Sequence, residues 1–77
     1  MTTEQLLEIV NLVLTNNQKT AKPSVTPETR LREDLGMDSF LLAELTVRIE
    51  QMTGIDVFGD GLIDTVGELL GKLEVHV

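Results

Sequence analysis

A chain of 77 residues can bury one modest core and no deep catalytic cleft, so a single domain spanning residues 1–77 is expected. It has no cysteine and one histidine, His76, which argues against a disulfide framework, a thiolate zinc site and a Ser-His pair. The net charge of −7 is uneven: residues 1–32 carry four bases and three acids, residues 33–77 two bases and ten acids. That sign repels nucleic-acid backbones and favours basic protein partners.

Apolar residues make up 42 %, a globular proportion, but Phe40 and Phe58 are the only aromatics. Leu, Ile and Val must therefore build the core. The first residues lack a basic leader pattern, and no apolar run reaches membrane-spanning length. A soluble, cytoplasmic monomer is the expectation.

Thr2 with Gln5 fits a capping box, and Glu4 suits the positive end of a helix dipole. Leu6, Ile9, Val10, Val13 and Leu14 follow helical spacing, with Leu7 and Leu12 widening the apolar face. The helix should fade at Asn16-Asn17, whose side chains compete for backbone hydrogen bonds. Residues 17–37 then form a long connection, because Pro23 and Pro27 interrupt any helix. Val25, Leu31 and Leu35 are its apolar pegs. Thr26-Pro27-Glu28 offers one short helical turn.

Gly36 permits a positive φ before the second helix, which Asp38 should cap and Gly54 should end. Its inner stripe is Leu42, Leu45, Ile49 and Met52, with Glu44, Arg48 and Gln51 facing outward. Leu41 lies about 100° around the helix from Leu42, so it is expected near solvent, as a possible partner contact. Residues 56–61 read as a linker with room for one helical turn. Asp60-Gly61 matches part of a calcium loop begun at Asp56, but Phe58 and Gly67 occupy positions that need oxygen ligands. No metal site is expected. The last helix starts near Thr65, with Glu68 completing a second capping box and Val66, Leu69, Leu70 and Leu73 facing the core. Gly67 and Gly71 weaken this helix and leave space for a close helix contact. The pattern defines an all-α fold: a small three-to-four-helix bundle with a long first loop.

The Asp38-Ser39 pair by itself is no more than a common helix start. In its setting it carries more. Leu31-Arg32-Glu33-Asp34-Leu35-Gly36-Met37-Asp38-Ser39-Phe40 resembles the site of the acyl carrier protein family. There an L-G-x-D-S-L segment opens the second helix, with acids usually just before it. Only the last residue of that segment is changed here, to Phe40. Length, acidity, the long first loop, the Gly54-Ile55-Asp56-Val57 exit and the Thr65-Val66 restart extend the resemblance over nearly the whole chain.

The resemblance implies a non-enzymatic carrier. Ser39 would bear 4'-phosphopantetheine, attached by a phosphopantetheinyl transferase, and Asp38 would help that transferase and the transferase's metal to dock. The imported thiol would hold acyl groups as thioesters for fatty-acid, polyketide or related biosynthesis. Partner enzymes, namely loading, synthase and condensing enzymes with basic surfaces, would read the second helix through Phe40, Leu41, Glu44, Arg48 and Glu50. Three features depart from the fatty-acid type: Leu41-Leu42, Arg48, and a last linker shorter by about two residues. Ser39-Phe40-Leu41-Leu42-Ala43 with Arg48-Ile49 also resembles peptidyl carriers of nonribosomal peptide synthesis. The reading from another class is a structural helical subunit in which Ser39 only starts a helix.

Overall fold

The computed structural model describes residues 2–57 and 63–75, with side chains as far as Leu73. Three helices follow in order: α1 over Thr3–Asn16, α2 over Ser39–Thr53 and α3 over Val66–Val75. No strand occurs among the described residues. Arg30 and Thr65 pair in an isolated antiparallel bridge. Of the linker expected over residues 56–61 with room for one helical turn, residues 58–61 lie outside the described residues.

Local chemistry sets the helix limits. The Thr2 hydroxyl accepts the Gln5 N–H, and the Gln5 side chain accepts the Thr2 N–H, at 3.1 and 2.9 Å. Two backbone N–H groups at the start of α1, which no intrahelical carbonyl can reach, are thereby satisfied. The far end closes in a Schellman turn: Gln18 adopts φ 63° and donates to the Thr15 carbonyl, while Lys19 donates to that of Leu14. Thr65 and Glu68 cap α3 reciprocally. Gly54, at φ 75°, ends α2 with its N–H on the Glu50 carbonyl.

Among the described residues every fully buried side chain is apolar. α1 supplies Leu6, Ile9, Val10, Val13 and Leu14, α2 supplies Leu41, Leu42, Leu45 and Ile49, and α3 supplies Val66, Leu69 and Leu73. The crossover between α1 and α2 adds Val25, Leu31, Leu35 and Met37. Burying a leucine stabilises by about 1.5–3 kcal/mol, so these pegs hold a loop that has no helix of its own. Hydrogen bonds hold it as well. The Asn11 amide brackets Lys22 at 2.8 and 2.9 Å. Further on, Leu31 donates to Asp64, Val66 to Thr29 and Gly67 to Pro27, at 2.7 to 2.9 Å. Residues 26–29 make a single turn.

The structure corrects the sequence expectations at several positions. Leu41 is 3 % exposed, not a surface residue. At about 100° per residue, Leu41 and Leu42 are the two edges of a buried arc, with Leu45 and Ile49 between them. That arc is as wide as a globular helix usually needs. Met52 lies on the same arc but is 63 % exposed, because Ile49 is the last α2 residue in the core and Met52 projects a turn beyond it. Leu12 falls about 60° outside the buried arc of α1 and faces solvent. The close contact at Gly67 is with the crossover, not with a helix. A Cβ there would meet the Pro27 carbonyl oxygen at 2.9 Å, whereas one at Gly71 would meet nothing within 4 Å.

Candidate functional site

The crossover and α2 meet at Leu35-Gly36-Met37-Asp38-Ser39. Leu35 and Met37 are buried, and Gly36 between them takes φ 69° to turn the chain. A side chain at that angle is strained, so glycine fits the position. The turn is fixed from below, since the Met37 N–H donates to the Leu31 carbonyl at 3.1 Å. Asp38 follows in extended conformation, and its carboxylate accepts the Leu41 N–H at 2.9 Å. It is the N-cap of α2.

This arrangement frees Ser39. A serine at a helix start commonly spends its hydroxyl on the cap, but Asp38 already does that here. Ser39 is the first residue of α2, is exposed, and its hydroxyl bonds to no described residue. The site offers an accessible alcohol on a rigid platform at a helix N-terminus. An anion formed on that oxygen would meet the positive end of the helix dipole. The environment thus fits a phosphodiester link.

The other residues expected in the site divide. Phe40 is 68 % exposed. With Ala43 and Val47 it forms an apolar stripe on the outer face, since Val47 lies two turns on and is 53 % exposed. Val47 was not anticipated, although its seven-residue spacing from Phe40 carried the signal. Glu50 is exposed. Leu41 belongs to the core. Glu44 and Arg48 are half-buried rather than outward, and they are occupied. Glu44 accepts the Asn17 side-chain amide at 3.3 Å and Arg48 at 3.4 Å. Sequence alone gives Asn17 only as the place where α1 fades. Elsewhere on the surface, hydrogen bonding to Glu33, with the nearby Asp64 and Asp34 charges, raises the Arg30 pKa above its ordinary value. Among the described residues no set of acidic or histidine side chains is arranged for a metal. No described helix is long and apolar enough to cross a membrane.

Known proteins resemble the chain along nearly its whole length. Residues 4–73 match the family described as the phosphopantetheine attachment site. The chain is 29 % identical over 76 residues to Acyl carrier protein 2 of Ralstonia nicotianae, covering 96 % of this chain and 94 % of that protein. It is 36 % identical over 72 residues to an acyl carrier protein of Saccharopolyspora erythraea, covering 91 % and 76 %. A shorter match, 45 % over 47 residues, is to acyl carrier protein MbtL of Mycobacterium tuberculosis, covering 58 % and 56 %. No solved structure matches at the same stringency. The match over residues 4–73 makes the chain a phosphopantetheine carrier, and it belongs to the acyl carrier protein family. Membership implies dealings with a phosphopantetheinyl transferase and with synthase enzymes.

Proposed function

We propose that Ser39 is the attachment residue and that the chain is a covalently loaded shuttle with no catalytic activity of its own. The observation that carries this reading is the division of labour between adjacent residues: Asp38 takes the cap and Ser39 keeps an exposed, uncommitted hydroxyl. When attached, 4'-phosphopantetheine supplies the thiol that the cysteine-free chain lacks and holds cargo as a thioester. The chain's own residues do the rest. Leu35 and Met37 anchor the platform, Gly36 turns it, and Asp38 fixes the first turn of α2. Asp38 also presents its carboxylate beside the alcohol to the transferase and its metal.

Partner enzymes read the outer face of α2 in this proposal, through Phe40 and Val47 with Glu50, in the cytoplasm. The cargo is an acyl group of fatty-acid, polyketide or related specialised synthesis. The exposed Phe40–Val47 stripe favours one second reading, an aminoacyl cargo, because peptidyl carriers dock through more apolar surfaces.

Intact mass after incubation with coenzyme A, magnesium and a transferase tests the assignment. The wild type gains one phosphopantetheine, and Ser39→Ala gains none while keeping its helical circular dichroism. Loading of Ser39→Ala, or a wild-type label mapping to Ser24 or a threonine, overturns it.

A further inference from the structure

The crossover is a basic island on an acidic protein. Residues 19–32 hold four of the six bases and one acid, leaving two bases against twelve acids elsewhere. Lys19, Thr20 and Lys22 line one side of a shallow cleft of about 310 Å³, and Glu33, Asp34, Leu35 and Gly36 line the other. The second wall is the turn that leads directly into Asp38 and Ser39.

Hydrogen bonds to the backbone hold both walls. On one side the Lys19 N–H closes the Schellman turn of α1 on the Leu14 carbonyl at 2.8 Å. The Asn11 amide grips the Lys22 backbone through both N–H and C=O. On the other side the Arg30 carbonyl receives the N–H groups of Asp34 and Leu35 at 3.0 and 3.1 Å. The lysine side chains therefore project from fixed roots.

Charge in the cleft is unequally committed. Glu33 pairs with Arg30 at 2.7 Å, and the Asp34 carboxylate accepts the Arg30 N–H at 2.8 Å. Neither lysine ammonium makes a salt bridge to a described residue. Lys19 Nζ lies 3.9 Å from where a Gly36 Cβ would sit. From Gly36 to Ser39 the chain spans at most about 11 Å. A flexible lysine stem closes part of that distance, and a group on Ser39 closes the remainder.

We propose that the Lys19–Lys22 cleft is a subsite for a phosphate-class anion, and that its occupant is the phosphodiester which joins the arm to Ser39. This rests on Ser39 being the attachment residue. Two ammoniums on the first wall, each with its backbone pinned, then hold the root of the arm against the crossover. The arm has a docked position on its own carrier and must leave it to enter a partner.

The test compares amide spectra of the full chain before and after loading, with loading verified by intact mass. Loading should shift the amides of Lys19, Thr20, Lys22 and Gly36 as well as those flanking Ser39. In Lys19→Gln/Lys22→Gln the crossover shifts should fall to less than half, and Lys19→Arg/Lys22→Arg should restore them. Inorganic phosphate titrated into the unloaded wild type separates the possible sources of the anion. Shifts confined to α2 on a fully loaded protein overturn the proposal, as does a double Gln variant with undiminished crossover shifts. If free phosphate moves the crossover amides but loading does not, the arm is not the occupant. If the mass does not rise, the Ser39 assignment itself has failed, and the mass alone shows this.

Discussion

Asn17, the residue that closes α1, donates its side-chain amide to Glu44 in the second turn of α2 at 3.3 Å. The same amide donates to the Val13 carbonyl at 2.8 Å, and Arg48 approaches Glu44 from the next turn. Glu44 is thus a strut between two helices, whereas Glu50, on the same helix, is exposed. The two acids should respond differently to charge reversal. Glu44→Lys loses the amide bond and the i,i+4 pair and sets a cation beside Arg48, for a combined loss of about 1–2 kcal/mol. Glu50→Lys should stay within about 0.5 kcal/mol of the wild type. Urea unfolding of both variants checks this, and equal midpoints would remove the strut from the account.

Docking of the transferase should divide into a charged and an apolar contribution. Asp38, Glu50 and the other surface acids raise association through their summed field, since exposed pairs contribute only about 0.2–1 kcal/mol each. Screening shortens that field from about 10 Å at 0.1 M salt to about 3 Å at 1 M. Loading of Ser39 should slow with salt, mainly through a higher KM. Phe40→Ala should weaken loading by a similar factor at every salt concentration, because its contact is apolar. Transferase kinetics on the two proteins across a salt series decide it. A flat salt response in the wild type would assign docking to the Phe40–Val47 stripe alone.

Leu41 and Met52 exchange the roles that helical spacing alone assigns them. Leu41→Ala should cost about 2–5 kcal/mol, comparable with Leu45→Ala, because both are buried. Met52→Ala should cost less than about 1 kcal/mol. Thermal melts of the three variants give the comparison, and a Leu41→Ala melt near that of the wild type would contradict the packing described here.

The two glycines of α3 make a matched pair. Alanine is the better helix former by about 1 kcal/mol, so Gly71→Ala, which meets open space, should stabilise by up to that amount. Gly67→Ala drives a methyl onto the Pro27 carbonyl oxygen at 2.9 Å, and backbone there has little room to move. It should destabilise despite the same propensity gain. Opposite shifts in melting temperature are expected, and two upward shifts would show that the crossover yields easily.

Short-range chemistry made much of this molecule legible from sequence. The caps at Thr2, Asp38 and Thr65, the turn at Gly36 and the stop at Gly54 all depend on residues within four positions of one another. The pegs Val25, Leu31 and Leu35 could be read because nothing else explains leucines in a polar loop. What eluded sequence reading depends on residues far apart in the chain. The width of the buried arc on α2 is set by what packs against it, so spacing alone puts Leu41 near solvent. Likewise the link from Asn17 to Glu44 crosses 27 residues. The approach of Lys19 to Gly36 follows only once the Schellman turn and the crossover are in place. At Ser39, the Asp38 cap was legible in the sequence, whereas the uncommitted hydroxyl emerged only with the structure.

The three backbone bonds between residues 27–31 and 64–67 couple segments that the chain order keeps apart. Because of them, α3 cannot peel away without releasing the strand of crossover that supports Leu31, and Leu31 supports Met37 and the turn into Ser39. Unfastening the C-terminal helix is therefore the same event as loosening the serine's footing. Deuterium exchange at the amides of Leu31, Val66 and Gly67 should report one common opening free energy, which measures how often the chain lets go of the turn into Ser39.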